Sequence, residues 1–111
     1  FRTVVKELGQ IDVLVNNAGV VDDAFLLMLS PDSLDRSLDI NVKGYFYCAQ
    51  AATLKMFKAK KGAIINISSV SSLMALPGQS VYAATKGAVN SMTAHPALSP
   101  RIWSRICPRT R

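Results

Sequence analysis

Leu34, Leu38, Asn41, Tyr45, Ala49, Ala52 and Met56 recur at steps of 4, 3, 4, 4, 3 and 4 residues. That spacing lays them along one continuous face of a helix about seven turns long. Every member of the face is apolar or amphipathic except Asn41. Ser30-Pro31 supplies the start, with Ser as N-cap, Pro at the first helical position and Asp32 in the first turn. The helix is expected to end near Lys60, with Gly62 after it. Short apolar runs flank it at Ile11–Val15 and Ala63–Ile67, both rich in β-branched residues and too short to be helices. Two strands joined by a helical crossover pair in parallel, and such crossovers are right-handed. The chain is therefore expected to be α/β, in the order helix, strand, long helix, strand, helix.

The remaining segments fit around this unit. Phe1, Val4, Val5 and Leu8 form one helical face, and Gly9 follows as a C-cap. Residues 20–29 read as an irregular apolar loop or short helix, and 70–80 as a loop containing Pro77-Gly78. Ser80 is placed to cap a last helix running from Val81 to at least Met92. With 111 residues, half of them hydrophobic, the chain suffices for one domain at most.

Composition narrows the function classes. The net charge of +6 suggests nucleic acid, but its distribution argues otherwise. Arg101, Arg105, Arg109 and Arg111 carry much of it, and without the last eleven residues it falls to +2. Lys55, Lys58, Lys60 and Lys61 suit the solvated end of the long helix, where they complement its dipole. No nucleic-acid partner is expected. The longest apolar run, Ala24–Leu29, is far short of the ~20 residues of a membrane span, so no membrane partner is expected either. Cys48, Cys107 and the lone His95 make neither a disulfide framework nor a metal site.

Tyr82 and Lys86 stand four apart and so share a helical face. An ammonium beside a phenol favours the phenolate, drawing a group that normally ionises at about pH 10 towards use as a general acid or base. Ser69 lies thirteen residues before Tyr82, at the carboxyl end of the second strand, where open α/β sheets bind ligands. Its hydroxyl could donate to a carbonyl oxygen that gathers negative charge. Ser68 would face the opposite side of the sheet. Asn41 is the polar intruder in the apolar face; its amide must be bonded to backbone, water or a reacting group, and a structural role at a helix kink is the plain alternative. Asn16-Asn17-Ala18-Gly19 follows the first strand, with Gly19 permitting close approach by a ligand or a positive φ.

Together the stretches IDVLVNNAG, LDINVKGYFYCAQAA, GAIINISSVSS and PGQSVYAATKGAVNSMT resemble the classical short-chain dehydrogenase/reductase family over roughly residues 1–93. Within it, NNAGVVDDAFLLMLS and PGQSVYAATKGAV look most like the 3-oxoacyl-[acyl-carrier-protein] reductase branch. The resemblance implies a fragment of a Rossmann-type doubly wound parallel sheet. It implies a catalytic set of Asn41, Ser69, Tyr82 and Lys86. Tyr82 would give a proton to the substrate carbonyl and Ser69 would orient it. Lys86 would hold the nicotinamide ribose, and Asn41 would hold a water linking Lys86 to solvent. Asn17, Ala18, Gly19, Tyr82 and Lys86 would contact an NAD(P)(H) cofactor, with NADP favoured. The substrate would be a small carbonyl compound or acyl thioester, reduced to a secondary alcohol in the cytoplasm by a homodimer or homotetramer.

Two departures from the family qualify these expectations. These residues contain no Gly-rich turn of the T-G-x-x-x-G-x-G kind and no selector between NAD and NADP, so a partial sequence, inactive in isolation, is expected. After residue 93 the text AHPALSPRIWSRICPRTR diverges, and Pro96 and Pro100 would break a helix. Residues 94–111 are expected to be a divergent or irregular tail. The alternatives are a truncated, inactive chain acting at most as a subunit-binding partner, and a sugar, steroid or small-alcohol dehydrogenase of the same family.

Overall fold

The computed structural model describes residues 1–94 in full and the backbone of Ile102–Arg109. Helix α1 (Arg2–Leu8) is closed by Gly9, whose φ of 84° is easily reached only without a Cβ. Strand β1 (Val13–Asn16) follows, then a single 3-10 turn at Leu26–Met28. Helix α2 (Pro31–Leu38) opens as expected, the Ser30 hydroxyl accepting from the Ser33 N–H at 3.1 Å. A π-helical turn at Asp39–Lys43 joins it to α3 (Gly44–Ala59). Strand β2 (Gly62–Ser69), a 3-10 turn at Val70–Ser72 and helix α4 (Ser80–Ala94) complete the fully described part. Because α4 begins at Ser80, its first-turn bond runs from the Ala83 N–H to the Gln79 carbonyl, so Gln79 takes the flanking position expected of Ser80.

The π turn changes the buried face of the long helix. It takes up an extra residue, so Ser37 rather than Leu38 lines up with Asn41, Tyr45, Ala49, Ala52 and Met56. Leu38 is 37% exposed. The seven-turn face is thus continuous in direction but re-phased at its centre.

Strands β1 and β2 run parallel in the register Val13↔Ala63 to Asn16↔Asn66. The divergent end contributes a regular element instead of an irregular tail. Ile102–Arg109 forms β3, which pairs in parallel with β2 from Gly62↔Ile102 to Ser69↔Arg109. Ile102, Trp103 and Ile106 are strand-favouring residues, and β3 stands beside β2 in the order β1-β2-β3 among the described strands. The expected helix break at Pro96 and Pro100 lies outside the described residues.

Helices α3 and α4 cover one face of the sheet. Ala49, Ala52 and Met56 of α3 pack on Ile64, with Ile11, Leu14 and Met92 around them. The opposite face is open at β1, where Val13 and Val15 are each 52% exposed. No described helix is long and apolar enough to cross a membrane.

The turn from α3 into β2 is tight. Lys60 adopts a left-handed conformation (φ 57°), and a Cβ on Gly62 would lie 2.4 Å from the Met56 Cγ and Sδ. Met56 is fully buried and has nowhere to move. Gly62→Ala should destabilise the protein by about 1–3 kcal/mol, read as a fall in thermal midpoint; an unchanged midpoint would mean the helix and strand meet less closely than described.

Candidate active site

The carboxyl ends of β1 and β2, the π turn and the first two turns of α4 converge on one place. Lys86 lies at its centre, 3% exposed and the one charged side chain that is buried among the described residues. Its ammonium donates to the Ile67 carbonyl at 2.7 Å and to the Tyr45 hydroxyl at 3.2 Å. It sits 5.1 Å from the centroid of the Tyr45 ring and 5.8 Å from that of Tyr82. These ring faces and dipoles stabilise a cation whose desolvation would otherwise cost several kcal/mol. Tyr82 is itself buried one turn earlier, so the expected pair does share a face.

Asn41 is fully buried at the centre of the π turn. Its amide pairs with Val20 in both directions at 2.8 Å, Oδ1 accepting from the Val20 N–H and Nδ2 donating to its carbonyl. Nδ2 also donates to Thr85 Oγ1 at 3.1 Å, and Thr85 in turn donates to the Tyr82 carbonyl at 2.8 Å. The side chain thus ties the loop after β1 to helix α4. This is the structural role that the sequence left open as an alternative.

Asn17, Ala18 and Gly19 form the exposed segment between β1 and that tie. A Cβ on Gly19 would lie 3.3 Å from Asn41 Oδ1 and 3.7 Å from Lys86 Nζ, which places this backbone directly beside the ammonium. Asn16, by contrast, is buried and turned into the core. It donates to Asn66 Oδ1 at 2.9 Å and to the Tyr45 carbonyl at 3.3 Å. Asn66 donates onward to Thr93 Oγ1 at 2.9 Å.

Ser69 ends β2 and caps the 3-10 turn that follows. Its Oγ accepts from the Ser71 N–H and donates to Ser71 Oγ, both at 3.2 Å. Ser71 donates to Gln79 Oε1 at 2.8 Å, and Gln79 Nε2 donates to Asp23 at 3.0 Å. A polar chain therefore runs from Ser69 across the loop before α4 to the loop after β1. Ser68 faces α4, donating to the Lys86 carbonyl at 3.3 Å. Ser68 and Ser69 also border an open hollow of about 600 Å³ whose α4 wall is Gly87, Asn90, Ser91 and Ala94.

Reading the sequence missed Tyr45, Thr85 and the Ser71–Gln79–Asp23 chain. The spacing puts Tyr45 on the buried helical face, and its position one turn beyond Asn41 is the available signal that its hydroxyl meets polar groups there. Two ion pairs lie on the surface, one of them spanning the outer side of the π turn. Lys61 bonds Asp12 at 2.9 Å and holds its carboxyl below the usual range, and Asp39 bonds Lys43 at 2.7 Å and holds its ammonium above the usual range. Among the described residues no group of three or more His, Cys, Asp or Glu side chains could hold a metal ion.

The sequence profile of the family described as short chain dehydrogenase matches residues 1–101. The 3-oxoacyl-[acyl-carrier-protein] reductase FabG of Staphylococcus aureus is 45% identical over 92 residues, which is 83% of this chain and 37% of the relative. Its counterpart in Thermotoga maritima is 43% identical over 90 residues, 81% of this chain and 37% of the relative. Among solved structures, a gluconate 5-dehydrogenase from Burkholderia cenocepacia, in complex with NADP and tartrate, superposes with a TM-score of 0.80 at 42% identity. That match covers 83% of this chain and 36% of the other. The chain thus spans little more than a third of the length of these proteins.

Gly19 gives a direct test of the geometry. Asn41 is held by three hydrogen bonds and cannot retreat from a new methyl group. Gly19→Ala should cost about 1–3 kcal/mol in thermal or urea denaturation, whereas the same change at Gly87, where a Cβ meets nothing within 4 Å, should not destabilise.

Proposed function

Because the chain belongs to the short-chain dehydrogenase family, we propose that it supplies the proton-transfer core of an NADPH-dependent reductase that converts a carbonyl to a secondary alcohol. The observation that carries this reading is the buried Lys86 ammonium beside the Tyr82 ring, at the carboxyl ends of two parallel strands and bonded to a carbonyl and a phenol.

The residues present suit the ribose end of a dinucleotide. Gly19 brings bare backbone beside the ammonium, and an ammonium can donate to ribose hydroxyls. Lys86 and Tyr82 would hold that end, with Asn17, Ala18 and Gly19 alongside. A bound nicotinamide supplies the hydride, and the rest of the chemistry falls to this chain. Ser69 already accepts from the Ser71 N–H, so its hydroxyl proton can swing from Ser71 Oγ to a substrate carbonyl oxygen without losing its anchor. Tyr82 donates the proton that neutralises the developing alkoxide, and the Lys86 charge stabilises the phenolate left behind. Asn41, through Thr85 and the Tyr82 carbonyl, fixes this turn of α4.

A 3-oxoacyl thioester is the preferred substrate class, supported by the names of the curated relatives. A sugar acid is the second, supported by the similarity to the gluconate 5-dehydrogenase. NADP rather than NAD is supported by the complex that this dehydrogenase forms. Exposed Phe46, Tyr47, Leu54 and Phe57 on α3 support the subunit pairing that the resemblance implies. A cytoplasmic location accompanies the reading as a 3-oxoacyl thioester reductase.

The test is a chimaera in which residues 1–94 replace the aligned segment of the Staphylococcus aureus reductase. It should oxidise NADPH with a 3-oxoacyl thioester, and Tyr82→Phe should lower kcat by about 10²-fold or more. Wild-type kcat in Tyr82→Phe would overturn the reading. Preference for a keto sugar acid over the thioester would select the second substrate class.

The 111 residues by themselves should bind NADPH no better than millimolar in a fluorescence titration. A charge-assisted hydrogen bond from Lys86 contributes roughly 1.5–3 kcal/mol, less than the freedom lost on binding, and no Gly-rich turn is present to hold a pyrophosphate.

A further inference from the structure

We propose that Tyr45 is a positioning residue for the Lys86 ammonium, a role that rests on the reading of Lys86 as the group that holds the cofactor ribose. Lysine ends a flexible four-carbon stem with three rotatable donors, so an ammonium with a directional task has to be aimed by its surroundings. Here the aiming is done by a closed triangle of hydrogen bonds. Lys86 Nζ donates to the Ile67 carbonyl at 2.7 Å and to Tyr45 Oη at 3.2 Å, and Tyr45 Oη donates to the same carbonyl at 3.1 Å. The carbonyl oxygen serves both donors with its two lone pairs.

Each corner of the triangle is rigidly mounted. Ile67 belongs to β2, and the β1 ladder stops at Asn16↔Asn66, one residue earlier, where the two side chains reach the strand backbone. Tyr45 is buried in the first turn of α3 with its ring 5.1 Å from the ammonium. The Tyr45 main chain is held as well, because its carbonyl accepts from Asn16. Asn41 commits its amide to Val20 and Thr85, and Tyr45, one turn further along, carries the bond from this helix to the ammonium. A phenol suits this position. It accepts from a cation, donates to a carbonyl and presents a ring face to the same charge, whereas an aliphatic residue would leave one acceptor fewer around a buried ammonium.

The complete reductase carrying these residues, built as the chimaera above, provides the test. Tyr45→Phe keeps the ring and removes the hydroxyl. It should weaken NADPH binding about tenfold by titration and lower kcat, and NMR of the labelled Lys86 side chain should show its proton lost at lower pH. Among the described residues, the titratable groups whose rings face that ammonium are Tyr45 from α3 and Tyr82 from α4. In a Lys86→Met background, Tyr45→Phe should cause no further loss of NADPH affinity.

Equal losses in both backgrounds would make Tyr45 a packing residue and overturn the proposal. So would unchanged affinity and Lys86 titration in Tyr45→Phe. If Lys86→Met alone leaves NADPH affinity intact, the reading of Lys86 fails first, and the two failures are distinguishable. Should Tyr45→Phe not fold, 3-fluorotyrosine at position 45 preserves the shape and weakens the oxygen as an acceptor. It should then shift NADPH affinity and the Lys86 titration in the same direction, and the absence of either shift counts against the proposal.

Discussion

Asn41 and Val20 are joined as two paired strand residues would be, with an N–H and a carbonyl satisfied on each side, but one partner is a side chain inside a helix. Much of the site hangs from that junction. It holds the loop after β1 against the π turn, and through Thr85 it reaches the carbonyl of Tyr82. The π turn is part of the same arrangement. Its extra residue re-phases the helix so that Ser37, Asn41 and Tyr45 all face inward, and the two polar side chains beyond Ser37 arrive where backbone and ammonium need partners. Without it, the helix would present the apolar stripe that its sequence spacing describes.

The buried ammonium imposes a second requirement. Lys86 is bonded to a strand carbonyl and a phenol, with two aromatic rings completing the surroundings. Such an environment stabilises the charge without fully neutralising it. A carboxylate in their place would compete for the ammonium with the anionic species that a proton-transfer site creates. The arrangement therefore leaves positive potential available beside Tyr82, which is the property the proposed chemistry uses.

Much of this was legible in the residues. The Phe1–Leu8 periodicity followed by Gly9 gave α1 and its glycine stop, and Ser30-Pro31 gave the start of α2. The place of Ser69 at the carboxyl end of β2 followed from the apolar run before it. What escaped has physical reasons. A π turn has no propensity signal of its own, since the residues around Asn41 fit an α-helix equally well. Tyr45 satisfied an apolar pattern, so its hydroxyl went unassigned. Strand β3 was obscured because Pro96, Pro100 and the arginines dominate the local text, whereas pairing along β2 depends on a neighbour far away in sequence. The proximity of Tyr82 to Lys86 needed only helix geometry; the family resemblance was needed to connect either with Ser69.

The covered face of the sheet carries a row of amides where apolar side chains would pack as well. Asn16 bonds Asn66, which bonds Thr93, and Thr93 closes onto the Val89 carbonyl at 2.7 Å. Side chains alternate along a strand, so a slip of one residue between β1 and β2 would turn Val15 or Ile65 towards the position of an amide partner and strand the other amide in the core. Valine and isoleucine runs are otherwise poor at telling one register from the next. The asparagines act as a key cut into an almost featureless surface: mispaired chains pay the full cost of an unmatched buried amide before any reactive group is assembled. The fidelity of the site is thus protected during folding, by residues that take no part in its chemistry.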